Sequence, residues 1–176
     1  MIYINKMDSP VGQLTLASDG TALTGLWLEN QKYYASTITS DSCECSLPIF
    51  DQTRKWLEIY FSGRTPDFDI PLAPSGSEFR QVVWKILCTI PSGKTLTYGA
   101  IAHQIHKQTG KTACAQAVGG AVGHNPISIL IPCHRVVGTN GSLTGYAGGI
   151  EKKVALLKLE GASLESLFIP KKGTAL

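Results

Sequence analysis

The chain has 176 residues, 43% of them hydrophobic and 16% charged, which suits one ordinary domain or two small ones with enough apolar surface for a core. That composition excludes disordered, collagen-like and low-complexity classes, and no apolar run approaches the roughly 18 residues of a membrane span. The net charge of +3 is uneven: residues 1–84 carry six Lys/Arg against ten Asp/Glu, residues 85–176 ten against three, and no acid lies between Glu78 and Glu151. A basic half of this kind is either a site for a polyanion, with nucleic acid first, or a solvated face. The opening MIYINKMDSP lacks the charged-then-apolar order of a signal peptide. The five cysteines, an odd number without a Cys-x-x-Cys framework, fit a reducing compartment. The expectation is a soluble cytoplasmic protein with no membrane partner.

In chain order, Gly12 to Ser18 alternates like a strand, Asp19-Gly20 signals a hairpin turn, and Leu23 to Leu28 supplies the return strand. Cys43-Glu44-Cys45 reads as two thiols in a polar loop rather than a zinc clip, because no second pair or nearby histidine accompanies it. Residues 50–61 place Phe50, Leu57, Tyr60 and Phe61 near one helical face. Gly63 to Pro74, with three prolines, reads as a linker, giving a first domain over 1–74.

A second domain is expected over 75–161. Ser75, with Glu78 three residues on, predicts a capped helix whose stripe is Phe79, Val82, Val83, Ile86, Leu87 and Ile90. Pro91-Ser92-Gly93 ends it. Thr97 caps the next helix, His106 to Lys111 is a loop, and Thr112 caps a third, small-residue helix containing Gly119 and Gly120. Two interior glycines cost about 1 kcal/mol each. Close approach to another surface, such as a minor groove, would offset that, and so would tight packing inside the protein. Ile127 to Ile131 reads as a buried strand, Gly138 to Gly149 as a Gly-rich loop, and Ile150 to Glu160 as a closing helix ended by Gly161. The series resembles a winged helix-turn-helix. Residues 162–176 form a tail without a clear pattern.

Pro132-Cys133-His134-Arg135-Val136 is the chemical centre. A thiol beside a histidine and an arginine is a candidate activated thiolate, since nearby positive charge lowers its pKa. Pro132 interrupts the strand, and a Gly-rich loop suited to covering a site follows. Adjacent residues on an extended strand point to opposite faces, so a water bridge between Cys133 and His134 is easier to build than direct contact.

With Asn125 eight residues before the cysteine, Gly145-Tyr146 after it, Pro91-x-Gly93…Thr97-Tyr98, Lys153-x-x-Leu156-Leu157-x-x-Glu160 and Ser9-Pro10-x-Gly12-x-Leu14, this core resembles the O6-alkylguanine-DNA alkyltransferases. The resemblance implies an α/β protein with an N-terminal ribonuclease-H-like sheet domain and a C-terminal winged helix-turn-helix domain. It implies direct-reversal DNA repair: an alkyl group passes from O6 of guanine, or O4 of thymine, in a flipped-out base to Cys133, once per chain. By position, His134 takes the thiol proton through water, Glu160 orients His134, Asn125 is a hinge, and Tyr98 rotates the nucleotide and hydrogen-bonds its ring. Val136 and Cys133 carbonyls and the Ala147 amide read the base, while Tyr146, Gly148 and Lys153 complete the pocket. Thr97, Tyr98, Cys114, Ala115, Gln116, Ala117, Gly119 and Arg135 are the expected DNA contacts, made in the minor groove of double-stranded DNA by a monomer without cofactor or metal. Gln116 departs from the family's pattern: it stands where an arginine usually fills the vacated stack. A cysteine hydrolase and a DNA-binding module without activity are the rival classes.

Overall fold

The computed structural model describes residues 1–171, so residues 172–176 of the expected tail lie outside the described residues. The described chain forms two compact units: Met1–Ser75 with Pro126–Ser128, and Gly76–Asn125 with residues 129–171.

The first unit holds a four-stranded sheet in the order β3-β2-β1-β4. Strands β1 (Tyr3–Met7), β2 (Leu14–Ser18) and β3 (Leu23–Leu28) are antiparallel neighbours, and β4 (Cys43–Glu44) runs parallel to β1. The β2–β3 hairpin follows the sequence because Asp19 accepts hydrogen bonds from the Thr21 and Ala22 amides at 2.8 and 2.9 Å and closes the turn. The expected alternation in β2 does not appear as one-sided burial: all five residues are buried. Helix α1 (Pro48–Phe61) lies against β2, with Pro48 in its first turn. It buries Ile49, Phe50, Thr53, Leu57 and Tyr60, each large apolar side chain stabilising the core by about 1.5–3 kcal/mol. Two strands depart from the sequence reading. β1 was not foreseen, and Cys43-Glu44 is an edge strand rather than a loop, held by the Cys43 and Cys45 amides donating to Ile2 and Ile4 carbonyls. β4 depends on a partner about 40 residues away, which no local pattern shows.

The second unit is a cluster of three helices, α2 (Glu78–Cys88), α3 (Tyr98–Thr109) and α4 (Ala115–Gly123), followed by α5 (Ile150–Leu159). Strands β5 (Leu96–Thr97) and β6 (Val136–Val137) pair in parallel. The Trp84 indole N–H donates to the Ala121 carbonyl at 2.9 Å and ties α2 to α4. Two caps move from their expected places and one helix runs longer than expected. Ser77, not Ser75, caps α2, accepting from the Arg80 amide. α3 does begin at its Thr97 cap, but it continues through the expected loop to Thr109 and ends on Gly110. α4 is capped by the Cys114 sulfur, which accepts from the Ala117 amide at 3.4 Å, rather than by Thr112. The expected strand 127–131 is absent. Pro126–Ser128 instead joins β3 of the first unit, with Leu26 donating to Pro126 and accepting from Ser128, both at 2.8 Å. Ile129 then turns with φ 72°, a left-handed value that ends extended structure.

Candidate active site

The chain reaches the site through the turn at Ile129. Cys133–Arg135 form a single 3₁₀ turn rather than a strand end, so Cys133 and His134 are both buried. The Asn125 side chain donates to the Ile131 carbonyl at 2.8 Å and to Cys133 Sγ at 3.1 Å. Both amide hydrogens are thereby used, one fixing the turn and one favouring a charged sulfur. The thiol is not lowered by an adjacent arginine as the sequence suggested. Burial pushes its pKa up, and the Asn125 hydrogen bond and Lys153 charge only partly oppose this.

Arg135 faces the interior instead. Its Nε donates to Glu160 Oε2 and its Nη2 to Oε1, both at 2.9 Å, and its Nη1 donates to the Ile90 carbonyl at 2.5 Å. Its guanidinium, expected among the DNA contacts, is thus engaged within the protein. Glu160, at the C-terminus of α5, also accepts the Gly93 amide at 3.1 Å and meets His134 Nε2 at 2.7 Å. Gly93 has φ 74°, and a Cβ there would lie 2.7 Å from the Glu160 carbonyl oxygen, so only glycine fits. Burial would raise the Glu160 carboxyl, but the His134 and Arg135 hydrogen bonds and charges hold it well below the carboxylate range. Burial lowers the His134 pKa and keeps the ring neutral, although Glu160 opposes that. With Nε2–H donating to the anionic Glu160, the lone pair is assigned to Nδ1, the arrangement of a general base.

The pocket loop is held from within by two donors. Lys153, fully buried, donates from Nζ to the carbonyls of Val136 at 2.5 Å, Thr144 at 3.0 Å and Gly145 at 3.5 Å. Burial lowers its pKa to about 8, against an opposing effect of Cys133. The Tyr98 hydroxyl donates to Thr144 and Gly145 at 3.3 and 3.5 Å, and burial first, then Cys133, pushes its pKa up to about 12. Tyr98 therefore stays protonated. The Tyr146 ring stands edge-on to His134 with centroids 6.5 Å apart, and Ala147 and Gly148 are half-buried beside it. Both carbonyls expected to read a base already accept one bond, Cys133 from the Val136 amide and Val136 from Lys153, leaving each a second lone pair.

On α4, Cys114, Ala115, Gln116, Ala117 and Gly120 are exposed, whereas Gly119 is buried against its own unit. Gly119 thus leaves the expected surface, and Gly120 takes its place. Thr97 is half-buried, with its hydroxyl accepting from the Ala100 amide. Sequence reasoning missed the brace of Ile90, Gly93 and Arg135 around Glu160, and the Thr144 and Gly145 carbonyls that hold Tyr98. Backbone acceptors carry no sequence signal. The Gly93 signal was visible, but it was read as a helix stop and as part of a family motif, not as a partner of Glu160.

Two family models match the chain: 6-O-methylguanine DNA methyltransferase, ribonuclease-like domain, over residues 2–74, and the DNA binding domain of the same protein over residues 78–162. Residues 163–171 lie outside both. The chain is 49% identical over 162 residues to the methylated-DNA–protein-cysteine methyltransferase of Mycobacterium tuberculosis, covering 91% of this chain and 93% of that protein. It is 43% identical over 165 residues to that of Methanosarcina mazei, covering 93% and 100%. Among solved structures, Mycobacterium tuberculosis OGT in complex with DNA superposes with a TM-score of 0.79 at 46% identity, over 90% of this chain and 92% of that one.

Proposed function

The chain belongs to the 6-O-methylguanine DNA methyltransferase family and transfers an alkyl group from O6 of guanine in DNA to one of its own cysteines; we propose that Cys133 is that acceptor, used once per chain. The observation that carries the reading is the run Asn125–Cys133 at 3.1 Å and His134–Glu160 at 2.7 Å within one buried turn. Cys88 and Cys114 lack such a setting.

The raised thiol pKa means that the resting sulfur is protonated, so a base is required. Through a water, His134 Nδ1 takes the thiol proton, and Glu160 stabilises the imidazolium that forms. The Sγ lone pair then bonds the alkyl carbon as the carbon–O6 bond breaks. Guanine leaves with the O6 electron pair and takes up one proton, which the Tyr98 hydroxyl is placed to donate once it leaves Thr144 and Gly145. His134 returns the thiol proton to the Tyr98 oxygen, so the balance is thioether plus guanine. A thioether is stable in water, so the alkyl group stays on the sulfur.

The target atom is shielded in a duplex, so the nucleotide must leave the stack. The exposed small residues of α4 suit sequence-independent docking in the minor groove, with Gln116 at the vacated stack. O4 of thymine offers the same leaving-group chemistry as a second substrate. All reacting groups come from one chain, which suits a monomer, and five free thiols suit a cytoplasmic setting. The test is the intact mass after exposure to duplex containing O6-methylguanine. One added methyl on Cys133, abolished in Cys133→Ala with duplex binding kept, is expected. A second methyl removed per chain, or methyl on another thiol, overturns the assignment.

A further inference from the structure

The segment beyond α5 folds back on the pocket loop. Ala162, Leu164 and Leu167 pack against the buried cluster of Val137, Leu143 and Leu157. Leu167 donates to the Leu164 carbonyl at 3.0 Å, and Phe168 then runs parallel beside Ser142. The Phe168 amide donates to the Gly141 carbonyl at 3.1 Å, and the Leu143 amide donates to the Phe168 carbonyl at 2.8 Å. Contact is so close that a Cβ on Gly141 would lie 2.0 Å from the Ser166 carbonyl oxygen, and Gly141 has φ 84°. The Phe168 side chain itself is 49% exposed, so the backbone makes the attachment.

The loop is therefore fastened on two sides. Its outer limb, Gly141–Leu143, is held by this segment, and its inner limb, Thr144–Gly145, by Lys153 and Tyr98. Leu143, which gives its amide to the segment, is the immediate neighbour of Thr144, whose carbonyl holds the two pocket donors. A shift of the outer limb must move the pocket wall.

We propose that residues 164–168 are a strap that sets the position of the pocket loop and so limits the size of the alkyl group that reaches Cys133. The proposal rests on the reading of Cys133 as the acceptor. Phe168→Pro removes the amide donor while leaving the apolar anchors, Leu167→Ala removes an anchor, and Phe168→Ala keeps the backbone bonds.

The experiment measures, on the full chain, second-order rates of Cys133 alkylation by O6-methylguanine and O6-benzylguanine as free bases. It also measures hydrogen exchange over residues 138–149. Phe168→Pro and Leu167→Ala are expected to raise the benzyl-to-methyl rate ratio ~5-fold, the population shift that losing one hydrogen bond gives. They should also speed exchange in the loop, while Phe168→Ala matches the unaltered chain in both. A ratio unchanged in Phe168→Pro and Leu167→Ala overturns the proposal, whether both rates hold or both fall together. If the unaltered chain gains no alkyl group on Cys133, the acceptor reading fails. The exchange result still decides the strap, and unaltered protection in Phe168→Pro overturns it.

Discussion

Glu160 gathers donors from His134, Arg135 and Gly93 onto two oxygens, which makes it the hinge of the reaction's proton balance. Glu160→Gln keeps the shape but removes the charge that supports an imidazolium and leaves Arg135 without its counter-ion. Alkyl transfer should fall by about 10²–10⁴, the usual worth of general-base catalysis, and stability by about 3 kcal/mol, the penalty for breaking a buried pair. Rates and urea midpoints read the two effects. Acid acts on the same pair. The Glu160 pKa is depressed in the fold, so its contribution is present above the ordinary carboxylate value and lost as pH falls through that range. His134 is held neutral, so below its ordinary value of 6.5 the unfolded chain gains a proton that the folded chain refuses, again favouring unfolding. Lys153 works in the other direction. Its folded pKa of about 8 lies below its ordinary 10.5, so the unfolded chain binds more protons in that window and stability should rise with pH. Over the same rise the ammonium that holds Val136, Thr144 and Gly145 is lost, so the alkylation rate should fall above about 8. Parallel rate and stability profiles would refute this role for Lys153.

At the scale of the element, α4 separates two uses of glycine that the sequence ran together. Gly119 is buried and serves packing, whereas a Cβ on Gly120 meets nothing within 4 Å. Gly120→Ala should therefore stabilise the protein by about 1 kcal/mol through helix propensity. If this face docks closely on DNA, the same methyl should weaken duplex binding while alkylation by a free base is unchanged. Raised melting temperature with unaltered duplex affinity would place the docking face elsewhere. Gln116 lies on the same exposed face. Gln116→Ala should slow repair in duplex far more than on free O6-methylguanine, since only duplex repair includes unstacking; equal slowing on both substrates would mean that Gln116 serves the pocket. Legibility followed sequence distance. α1, α2, α3, α5 and the β2–β3 hairpin were readable because stripe, cap and turn residues lie within one element. β4 and Pro126–Ser128 were not, because their partners lie tens of residues away, and β1 was not, although its partner β2 follows within 15 residues, because no turn signal of the Asp19-Gly20 kind marks its start. In the site, Cys133, His134, Glu160 and Asn125 were singled out by motif, and the fold sets Asn125 against Cys133 and Glu160 against His134. The direction of the thiol shift was not legible, because it is set by the burial of Cys133, which only the folded chain shows.

For the whole molecule, the basic half loses part of its apparent charge once folded. Arg135 is paired with Glu160 and Lys153 is fully buried, so both charges are engaged inside the protein. Lys85, Lys94, Lys107 and Lys111 remain exposed in the stretch without acids. Lys107 lies in the last turn of α3, and Lys111 follows Gly110 on the approach to α4, which places both near the helix read as docking on DNA. Each phosphate neutralised releases condensed counter-ions, so affinity for undamaged duplex should fall steeply with salt, with a log–log slope of about −0.9 per contact. Replacing both lysines (Lys107→Gln with Lys111→Gln) should flatten that slope by about 1.8 if each meets a phosphate. Alkylation by free O6-methylguanine should not change, because neither lysine touches the pocket. Titrations of one undamaged duplex over several salt concentrations supply the slopes. A slope unmoved by the double substitution would mean that the backbone is met by another face, and the salt term would then have to be sought at Lys85 and Lys94.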